Sequence, residues 1–395
     1  MDLGSSSADG LGLTGVSFNE SFVPGLANPA QWGQSVLAQG TAGATLQSFD
    51  ARDNFGSSQN TVFTVNNFQL LLPLKKSKFG ISVSLAPLTR SNFRVVQTTD
   101  FIQGSGAQAD TVSFRSENRG DGGVNNLELG FGWRINSNIS IGYAASLVFA
   151  SVDNKVTTFF AQQGFQPVQF TLETSGLGFG NRFGTFFTFP GLFKENDMLS
   201  LGATLRLPVI FDAKRTQESD KQLGPTSVET VIIEDGPGLG SGDIELPMSL
   251  NAGATYHFSN KVSLSAEGLY EPWSDYASEL DPQQQALMSD RYKMGVGVRF
   301  FPYIMNSDKF LSKFKYRFGV SYDSGHLELQ NRNIETLMLN FGLGILSPNS
   351  RSSVDINVQY GFRGTTADNL VKENIWGVRL SLNLAELMFF RPKLQ

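Results

Sequence analysis

Apolar and polar residues alternate strictly along much of the chain, which places successive side chains on opposite faces of a β-strand. One segment runs from Leu127 to Arg134, with large apolar residues at odd positions and polar residues or glycine at even positions. These alternations run about nine to eleven residues, the length of a tilted strand that crosses a bilayer, whereas soluble sandwich strands average about five or six. A second segment is predicted to keep one apolar face throughout, formed by Leu199, Leu201, Ala203, Leu205, Leu207, Val209 and Phe211.

The pattern therefore predicts an all-β fold, a transmembrane antiparallel β-barrel, and disfavours a soluble sandwich. The alternating segments number about fourteen, an even number as in bacterial outer-membrane barrels. The strands are predicted at residues 36–48, 61–73, 79–97, 111–135, 139–159, 165–189, 198–216, 228–258, 262–276, 290–303, 315–329, 333–346, 353–365 and 371–389.

The connections between these segments alternate in length. Every second connection is expected to be a short periplasmic turn, and Ser, Asn and Lys residues of the kind that form tight turns lie at 75–78, 136–138, 259–261 and 347–350. The opposite set includes long stretches rich in Gly, Gln and Asp at 98–112, 214–240 and 276–290, which are predicted to be outer loops. Both termini are thus expected on the periplasmic side.

Composition narrows the class of protein further. The chain has 33 Phe, 41 Gly and 17% charged residues, an aromatic-rich mixture unlike that of a cytosolic enzyme or a disordered tail. Its net charge is −5 and its basic residues are scattered, which argues against nucleic-acid binding. No apolar run approaches the roughly 20 residues of a membrane-spanning helix. The polar start is interpreted as that of a mature chain whose signal peptide was removed, which implies a bacterial outer-membrane location.

The amino-terminal stretch differs from the rest because it is dense in Gly, Ser, Asn and Pro and lacks sustained alternation. Wall side chains cannot fill a barrel of about fourteen strands, so residues 1–35 are predicted to form a plug within the lumen. The alternative is a loose periplasmic tail. Residues 36–390 are assigned to the barrel and residues 391–395 to a periplasmic tail.

A family resemblance supports the plug. Asn28-Pro29-Ala30 resembles the Asn-Pro-Ala motif in the hatch of FadL-type outer-membrane transport proteins for long-chain fatty acids and other hydrophobic compounds. The strand Phe79–Leu85, the passage from Leu246-Pro247 to Trp273-Ser274, and Arg291–Gly295 occur in a similar order in that family. The chain departs from the family by continuing past Phe390 rather than ending on an aromatic residue. The resemblance implies a plugged barrel that passes hydrophobic molecules.

Pro87 falls on the outward-facing parity of the predicted third strand. A proline there removes a hydrogen bond that a closed barrel cannot easily replace, so a bulge or inward kink is expected. In the FadL-type family, an inward kink of the third strand opens the wall sideways, and the resemblance implies that Pro87 marks such an opening. The alternative is that Pro87 lies where the strand leaves the bilayer.

Catalytic and metal-binding chemistry is poorly represented. The two histidines, His257 and His326, lack the spacing of a metal site and are predicted at opposite ends of the barrel. The glycine-spaced stretches lack the strand-then-helix setting of a phosphate-binding loop. The chain has no cysteine. We therefore expect neither an enzyme nor a cofactor nor a metal.

Several lumen-facing charges are candidates for binding the head group of an amphiphile, although opposite charges inside a barrel also pair with one another for structural reasons. The basic candidates are Arg206, Lys293, Arg299, Arg317 and Arg379. Phenylalanines in the hairpin between the fifth and sixth predicted strands would contact the apolar tail or, alternatively, form part of a lipid-facing girdle. These candidates are Phe159, Phe160 and Phe165.

Two functions from different classes remain. The first is a monomeric uptake channel that partners with the lipid bilayer and a fatty acid or similar hydrophobic molecule. The second is a barrel that binds other envelope proteins, because FadL-like relatives such as PorV serve protein secretion. An open diffusion porin is a third possibility, and the plug predicted for residues 1–35 argues against it.

Overall fold

The computed structural model describes residues 5–20, 23–103, 110–160, 166–222, 228–302, 310–347 and 351–386. It confirms an all-β, closed antiparallel barrel of fourteen strands, in which β1 pairs with both β2 and β14. The strands are β1 Ala38–Arg52, β2 Ser57–Lys75, β3 Phe79–Arg90 with Phe93–Gln103, β4 Asp110–Arg134, β5 Ile139–Phe160, β6 Val168–Pro190, β7 Met198–Arg206 with Val209–Gln222, β8 Gly240–Leu246 with Ser249–His257, β9 Val262–Glu271, β10 Arg291–Phe300, β11 Phe314–Asp323, β12 Thr336–Leu346, β13 Ser353–Gly364 and β14 Lys372–Glu386.

The strand predicted at 228–258 is wrong in one respect. Residues Val228–Ile233 pair with the outer end of β7 as a hairpin, and the eighth wall strand begins only at Gly240. The intervening Asp235–Gly240 stretch holds three glycines with positive φ, a backbone that ends a strand. Within the described ranges, no helix has the length and apolar character needed to cross a membrane.

The outer surface of the barrel carries the predicted apolar belt. Leu127, Leu129, Phe131 and Trp133 of β4 are exposed, and the residues between them face inward or are glycine. The same alternation exposes Leu380, Leu382 and Leu384 on β14. Exposed apolar side chains in a continuous band are costly in water and favourable in hydrocarbon, so this surface suits a bilayer.

The predicted apolar face of β7 is wrong beyond Leu207. The ladder register is interrupted at Leu207 and Pro208, although the Leu207 N–H still donates to the Asn181 carbonyl, and the parity of the strand inverts across this break. Val209 and Phe211 consequently face inward and are 1% and 2% exposed, whereas Ile210 is 55% exposed. Proline lacks the N–H group that would continue the ladder, which explains why the register changes here.

The two ends of the barrel have different shapes. At the inner end, β2 and β3, β4 and β5, and β8 and β9 are joined by short turns, as predicted. At the outer end the wall rises well above its neighbours on one side, because β4, β5 and β6 have 25, 22 and 23 residues. The distal halves of β3 and β7 pair with these tall strands.

Residues 5–20 and 23–35, hereafter the amino-terminal segment, lie within this ring of strands. The segment begins with a one-turn helix, Ser6–Asp9, and ends with a 3₁₀ helix, Pro29–Gln34. The first helix contacts β12, β13 and β14, while the second contacts β2 to β6. Most of its side chains are buried, including Leu11, Val16 and Trp32.

Candidate functional site

Inward-facing glycines of the wall make room for the amino-terminal segment. A β-carbon at Gly142 would overlap the backbone of Pro29, and one at Gly202 would overlap the backbone of Val16. The same holds for Gly80, Gly132, Gly295, Gly297 and Gly319, each against backbone atoms of the segment. The missing side chains let two backbones approach closely. These wall glycines therefore lie along the path of the segment.

The Asn28-Pro29-Ala30 motif starts the second helix of the segment and ties it to the wall. The Asn28 Oδ1 atom accepts a hydrogen bond from the Ala30 N–H at 3.0 Å and so caps the helix, while Pro29 occupies its first turn. The Asn28 Nδ2 atom donates to the Val16 carbonyl and to the Thr185 carbonyl of β6. All the hydrogen-bonding groups of this buried side chain are used within the segment and the wall.

Glu267 of β9 binds the segment through its backbone. Its Oε2 atom accepts from the N–H groups of Thr14 and Gly15 at 3.0 Å, and from the Thr14 hydroxyl at 2.8 Å. Its Oε1 atom accepts from the Ser17 N–H at 3.1 Å. One wall carboxylate therefore satisfies three backbone donors that burial would otherwise leave without partners.

Arg182 of β6 binds backbone carbonyl groups of the segment. It is buried, pairs with Glu128 of β4, and donates to the carbonyls of Leu26 and Ala27, with the Leu26 bond at 2.9 Å. The guanidinium thus links two wall strands to carbonyl groups of the segment.

Glu20 of the segment lies in a cationic pocket of the wall. Its carboxylate is 3.1 Å from Lys315 Nζ, 3.1 Å from Arg317 Nη2 and 3.6 Å from Arg299 Nη1. Burial raises the pKa of this carboxyl, but the coulombic attraction of Arg317, Lys315 and Arg299 outweighs burial and holds the pKa well below its ordinary value. Glu20 is therefore ionised and fixed.

An inner cavity of about 560 Å³ lies beside the segment on its outer side. Its surface is mixed, with apolar side chains from the wall and the segment together with charged groups that pair between nearby wall strands. The ion pairs join Arg206 to Glu271 at 3.1 Å, and Arg291 to both Glu271 and Asp323. The apolar lining includes Leu13, Leu26, Leu88, Leu246, Trp273 and Ile375. This combination suits a molecule with an apolar body and a polar end.

The wall next to the inner cavity contains a seam between β2 and β3. Ladder pairing of these strands begins at the inner turn and ends at Phe68 and Leu85, although both strands continue outward. Beyond Leu85, β3 stays paired with β4 and bulges at Leu88. Pro87 lies at this bulge and lines the cavity.

The seam is crossed by side-chain hydrogen bonds. Arg90 donates to the Val65 carbonyl at 2.6 Å and to the Thr64 hydroxyl at 2.9 Å. Further outward, Asn60 Nδ2 donates to Asn92 Oδ1 at 3.3 Å. The seam borders the apolar belt, because Phe63 and Val65 on the neighbouring part of β2 are 67% and 60% exposed.

A second cavity, of about 630 Å³, lies near the outer end between the tall strands. Its described lining is apolar or uncharged polar and lacks charged residues, unlike that of the inner cavity. The lining includes Phe93, Asn118, Val152, Asn154, Phe170 and Gln217. An uncharged pocket at this end is suited to the first contact with an apolar molecule.

The five basic residues singled out from the sequence all lie in the lumen but separate into two groups. Arg206, Lys293 and Arg379 line the inner cavity, where Arg379 also pairs with Asp9 and donates to Asn67. Arg299 and Arg317 lie nearer the inner end of the barrel, where both contact Glu20. Arg317 also pairs with Asp355 at 2.9 Å.

The predicted phenylalanines lie elsewhere. Phe159 is 39% exposed and stacks under the Arg115 guanidinium at the outer end of β5, and Phe160 packs on Phe114 of β4. Neither lines the two cavities in the described part of the chain. Phe165 lies outside the described residues.

The two histidines remain far apart in the fold, as predicted. His257 ends β8 at the inner end, while His326 follows β11 at the outer end. His326 lines the inner cavity and stacks on Trp273, with the two ring centroids 4.4 Å apart. Burial, together with the nearby Arg291 charge, lowers the pKa of His326 to about 4, so this imidazole is neutral at pH 7. Among the described residues, no group of three or more histidine or acidic side chains could hold a metal ion.

Comparison with known proteins identifies one matching family. A family model described as BamG matches residues 5–395. No curated protein sequence matches the chain.

Several solved structures share the architecture at low sequence identity. A Pseudomonas aeruginosa FadL homologue is 13% identical with a TM-score of 0.61, and the alignment covers 97% of this chain and 98% of that one. The Pseudomonas putida toluene transporter TodX is 14% identical with a TM-score of 0.58, covering 95% and 96%. The Ralstonia pickettii toluene transporter TbuX is also 14% identical with a TM-score of 0.58, covering 94% and 96%. These similarities establish the fold over nearly the whole chain.

Proposed function

The chain belongs to the BamG family, and from that premise and the geometry of its lumen we propose that it is a monomeric outer-membrane channel that takes up hydrophobic molecules and releases them sideways. The observation that carries the proposal is the seam. Pairing of β2 with β3 ends at Leu85, directly beside an internal cavity and against the exposed apolar belt. A molecule in the cavity would reach hydrocarbon there without crossing water.

The outer-membrane location is supported by the belt. Pairing of β1 with β14 closes the barrel, so that the strands are paired around the wall except at the outer part of the β2–β3 seam. Such closure is the requirement for spanning hydrocarbon with strands. Exposed leucine, valine and phenylalanine side chains surround this barrel, and polar residues face its interior.

We propose that the amino-terminal segment acts as a hatch that closes the direct route to the inner end. It is held by Glu267, Arg182 and Asn28, and its own Glu20 is held by three cations. Deleting residues 1–35 should raise the leak of small polar solutes through liposomes that contain the protein. An unchanged leak would contradict the hatch.

The chemistry of the inner cavity supports an amphiphile, such as a fatty acid or a similar lipid, as the transported molecule. Arg206, Lys293 and Arg379 are the side chains proposed to face the polar end, and Leu26, Leu88 and Trp273 would contact the apolar part. The toluene transporters TodX and TbuX share this fold, which supports a hydrophobic class of substrate.

The experiment that tests this function is mass spectrometry of molecules retained after gentle extraction of the full chain. A lipid or hydrocarbon should be present at about one per barrel, and Leu88→Asp should remove it by placing a charge in the apolar lining. Val228→Asp adds the same charge on the exposed outer hairpin, away from the described lining of both cavities, and is the matched control that should leave the retained molecule in place. Native barrels that retain no apolar molecule would argue against transport.

A partner-binding role is the second candidate, and one observation favours it. The Val228–Ile233 strand pairs on one side with β7 and exposes Val228, Val231 and Ile232 at the outer end. Exposed apolar strand edges attract other chains. Co-purification of large envelope proteins that is lost on deletion of residues 223–239, without bound lipid, would support this candidate over transport.

A further inference from the structure

Arg90 of β3 bridges the β2–β3 seam beside the inner cavity. Its guanidinium donates to the Thr64 hydroxyl at 2.9 Å and to the Val65 carbonyl at 2.6 Å, so both of its acceptors are neutral. No ion pair within the described part of the chain includes Arg90. Arg90 and Thr64 also line the inner cavity, so a molecule in that cavity can reach the bridge.

The other arginines that line the inner cavity are held differently, because each of them has a carboxylate partner. The pairs are Arg206 with Glu271, Arg291 with Glu271, Arg363 with Glu373 and Arg379 with Asp9. An anionic ligand would have to displace that carboxylate before it could bind one of these guanidinium groups fully. Among the arginines of the described lining, Arg90 is therefore the one whose charge is met by neutral acceptors alone.

The inner cavity as a whole carries an excess of positive charge. Its described lining has six basic side chains against three acidic ones, Asp9, Glu271 and Asp323. The basic side chains still outnumber the acidic ones when Glu373, which pairs with Arg363 from outside the lining, is included. Coulombic attraction therefore favours an anionic group in this space over a neutral or a cationic one.

We propose that Arg90 is a latch, a side-chain bridge that closes the seam and is released by the anionic end of a single-chain amphiphile. The two oxygens of a carboxylate match the planar fork of a guanidinium and bind it more strongly than a neutral hydroxyl and carbonyl do. A head group that reaches Arg90 from the cavity would replace Thr64 and Val65 as its partners. The seam would then lose both bonds that the Arg90 side chain makes across it.

The latch makes release depend on the chemistry of the molecule. The inference rests on the proposed release through the seam and adds that the polar end must be anionic. A neutral ester or a hydrocarbon offers no charge that competes for Arg90, so the seam stays bridged. Phe63 and Val65 are 67% and 60% exposed on the neighbouring part of β2, so the tail of a released molecule would meet the apolar belt there.

The latch is tested by comparing two ligands of equal chain length, oleate and its methyl ester, on the full-length protein in liposomes. The measured quantity is amide hydrogen exchange of residues 57–67, the part of β2 beside the seam. Oleate should raise this exchange about fivefold through loss of the two Arg90 bonds, and the methyl ester should leave it unchanged. Exchange of residues 353–364 of β13 is the internal control for a general effect of oleate on the bilayer.

Substitutions at Arg90 separate the latch from the rest of the cavity. Arg90→Gln should show the faster exchange of residues 57–67 without any ligand, and oleate should not raise it further. Arg90→Lys keeps the charge but lacks the planar fork, so it should retain a smaller response to oleate. Arg94 lies on the same strand and forms an exposed pair with Glu117, so Arg94→Gln is the matched control and should respond as the native protein does.

Equal effects of oleate and its methyl ester on the native protein, or no effect of either, would overturn the latch. So would a folded Arg90→Gln barrel that responds to oleate as the native protein does. Uptake of both ligands by cells that carry the native protein tests the proposed function separately. If neither ligand is taken up but oleate alone opens the seam, the proposed function fails while the latch stands. If both are taken up and the seam responds to neither, the latch fails while the channel stands.

Discussion

Two interfaces of this barrel are held in very different ways. The amino-terminal segment is joined to the wall by buried ionic and charge-assisted contacts at Glu20, Glu267 and Arg182. The outer part of the β2–β3 seam has no ladder pairing in the described residues, and Arg90 and Asn60 donate hydrogen bonds across it. Charge-assisted bonds in a buried setting are stronger than neutral or exposed ones.

The difference is the basis for proposing that the segment stays fixed while the seam opens. Moving the segment would leave several buried charges without partners, which is a large penalty. Widening the seam requires the loss of a few side-chain bonds next to solvent or lipid. The contrast favours release through the wall over movement of the segment, and the following predictions test each side of it.

Glu20→Gln should have the largest effect, because it leaves Arg299, Lys315 and Arg317 close together without their shared carboxylate. Removing one partner of a buried ionic group costs about 3–5 kcal/mol. The measurement is native-state hydrogen exchange of residues 5–20, which reports local detachment. Glu234→Gln, in an exposed pair with Lys214, is the control and should leave this exchange unchanged. Equal exchange in both variants would show that Glu20 does not hold the segment.

Glu267→Gln should have a smaller effect in the same direction. The amide oxygen can accept some of the three backbone N–H bonds but lacks the charge that strengthens them. A loss of about 2 kcal/mol is expected for the exchange of the Thr14, Gly15 and Ser17 amides. Confinement of the effect to these amides would support local anchoring, whereas no change would show that Glu267 does not hold the segment.

Arg90→Ala should act on the seam alone. It removes the bonds to the Val65 carbonyl and Thr64 hydroxyl, at a cost of about 1 kcal/mol, and should increase amide exchange in residues 57–67 of β2. Exchange in the amino-terminal segment should not change. Arg94 lies on the same strand as Arg90 and forms an exposed pair with Glu117 of β4, so Arg94→Ala is the matched control. Faster exchange of the segment in Arg90→Ala would show that the interfaces are not independent.

Acidification to about pH 4 should have almost no effect on the segment. A carboxyl whose pKa is lowered by folding contributes stability above its unfolded pKa and loses it only as the pH falls through the folded value. The pKa of Glu20 is held well below its ordinary value, so protection of residues 5–20 should persist between pH 7 and 4. Loss of protection near pH 5 would mean that Glu20 is not bound by its cationic partners.

The sequence was sufficient to predict the barrel, its strand number and most turns, because alternation over membrane-crossing lengths repeats in segments such as Leu127–Arg134. The parity of Val209 and Phe211 was predicted wrongly. The alternation continues unbroken through Pro208, yet the proline changes the register of pairing. A proline within an alternating segment was the signal that could have revealed the change.

The contacts of the lumen were less accessible to sequence reasoning. Glu20 and Arg317 are 297 positions apart, and nothing local to Glu20 marks its partners. Arg182 was not singled out because an inward Arg between glycines resembles other lumen charges. Asn28 was found through the family motif, and its capping and wall contacts required the three-dimensional arrangement.

The central claim is that hydrophobic molecules leave through the β2–β3 seam. Asn60 and Asn92 face each other across it, so Asn60→Cys with Asn92→Cys would allow a disulfide to join the strands in this cysteine-free chain. Uptake of a fluorescent fatty acid by cells that carry this variant should be lost when the disulfide is formed and should return on reduction, while either single variant behaves as the native protein. Equal uptake with the seam joined and released would contradict the account.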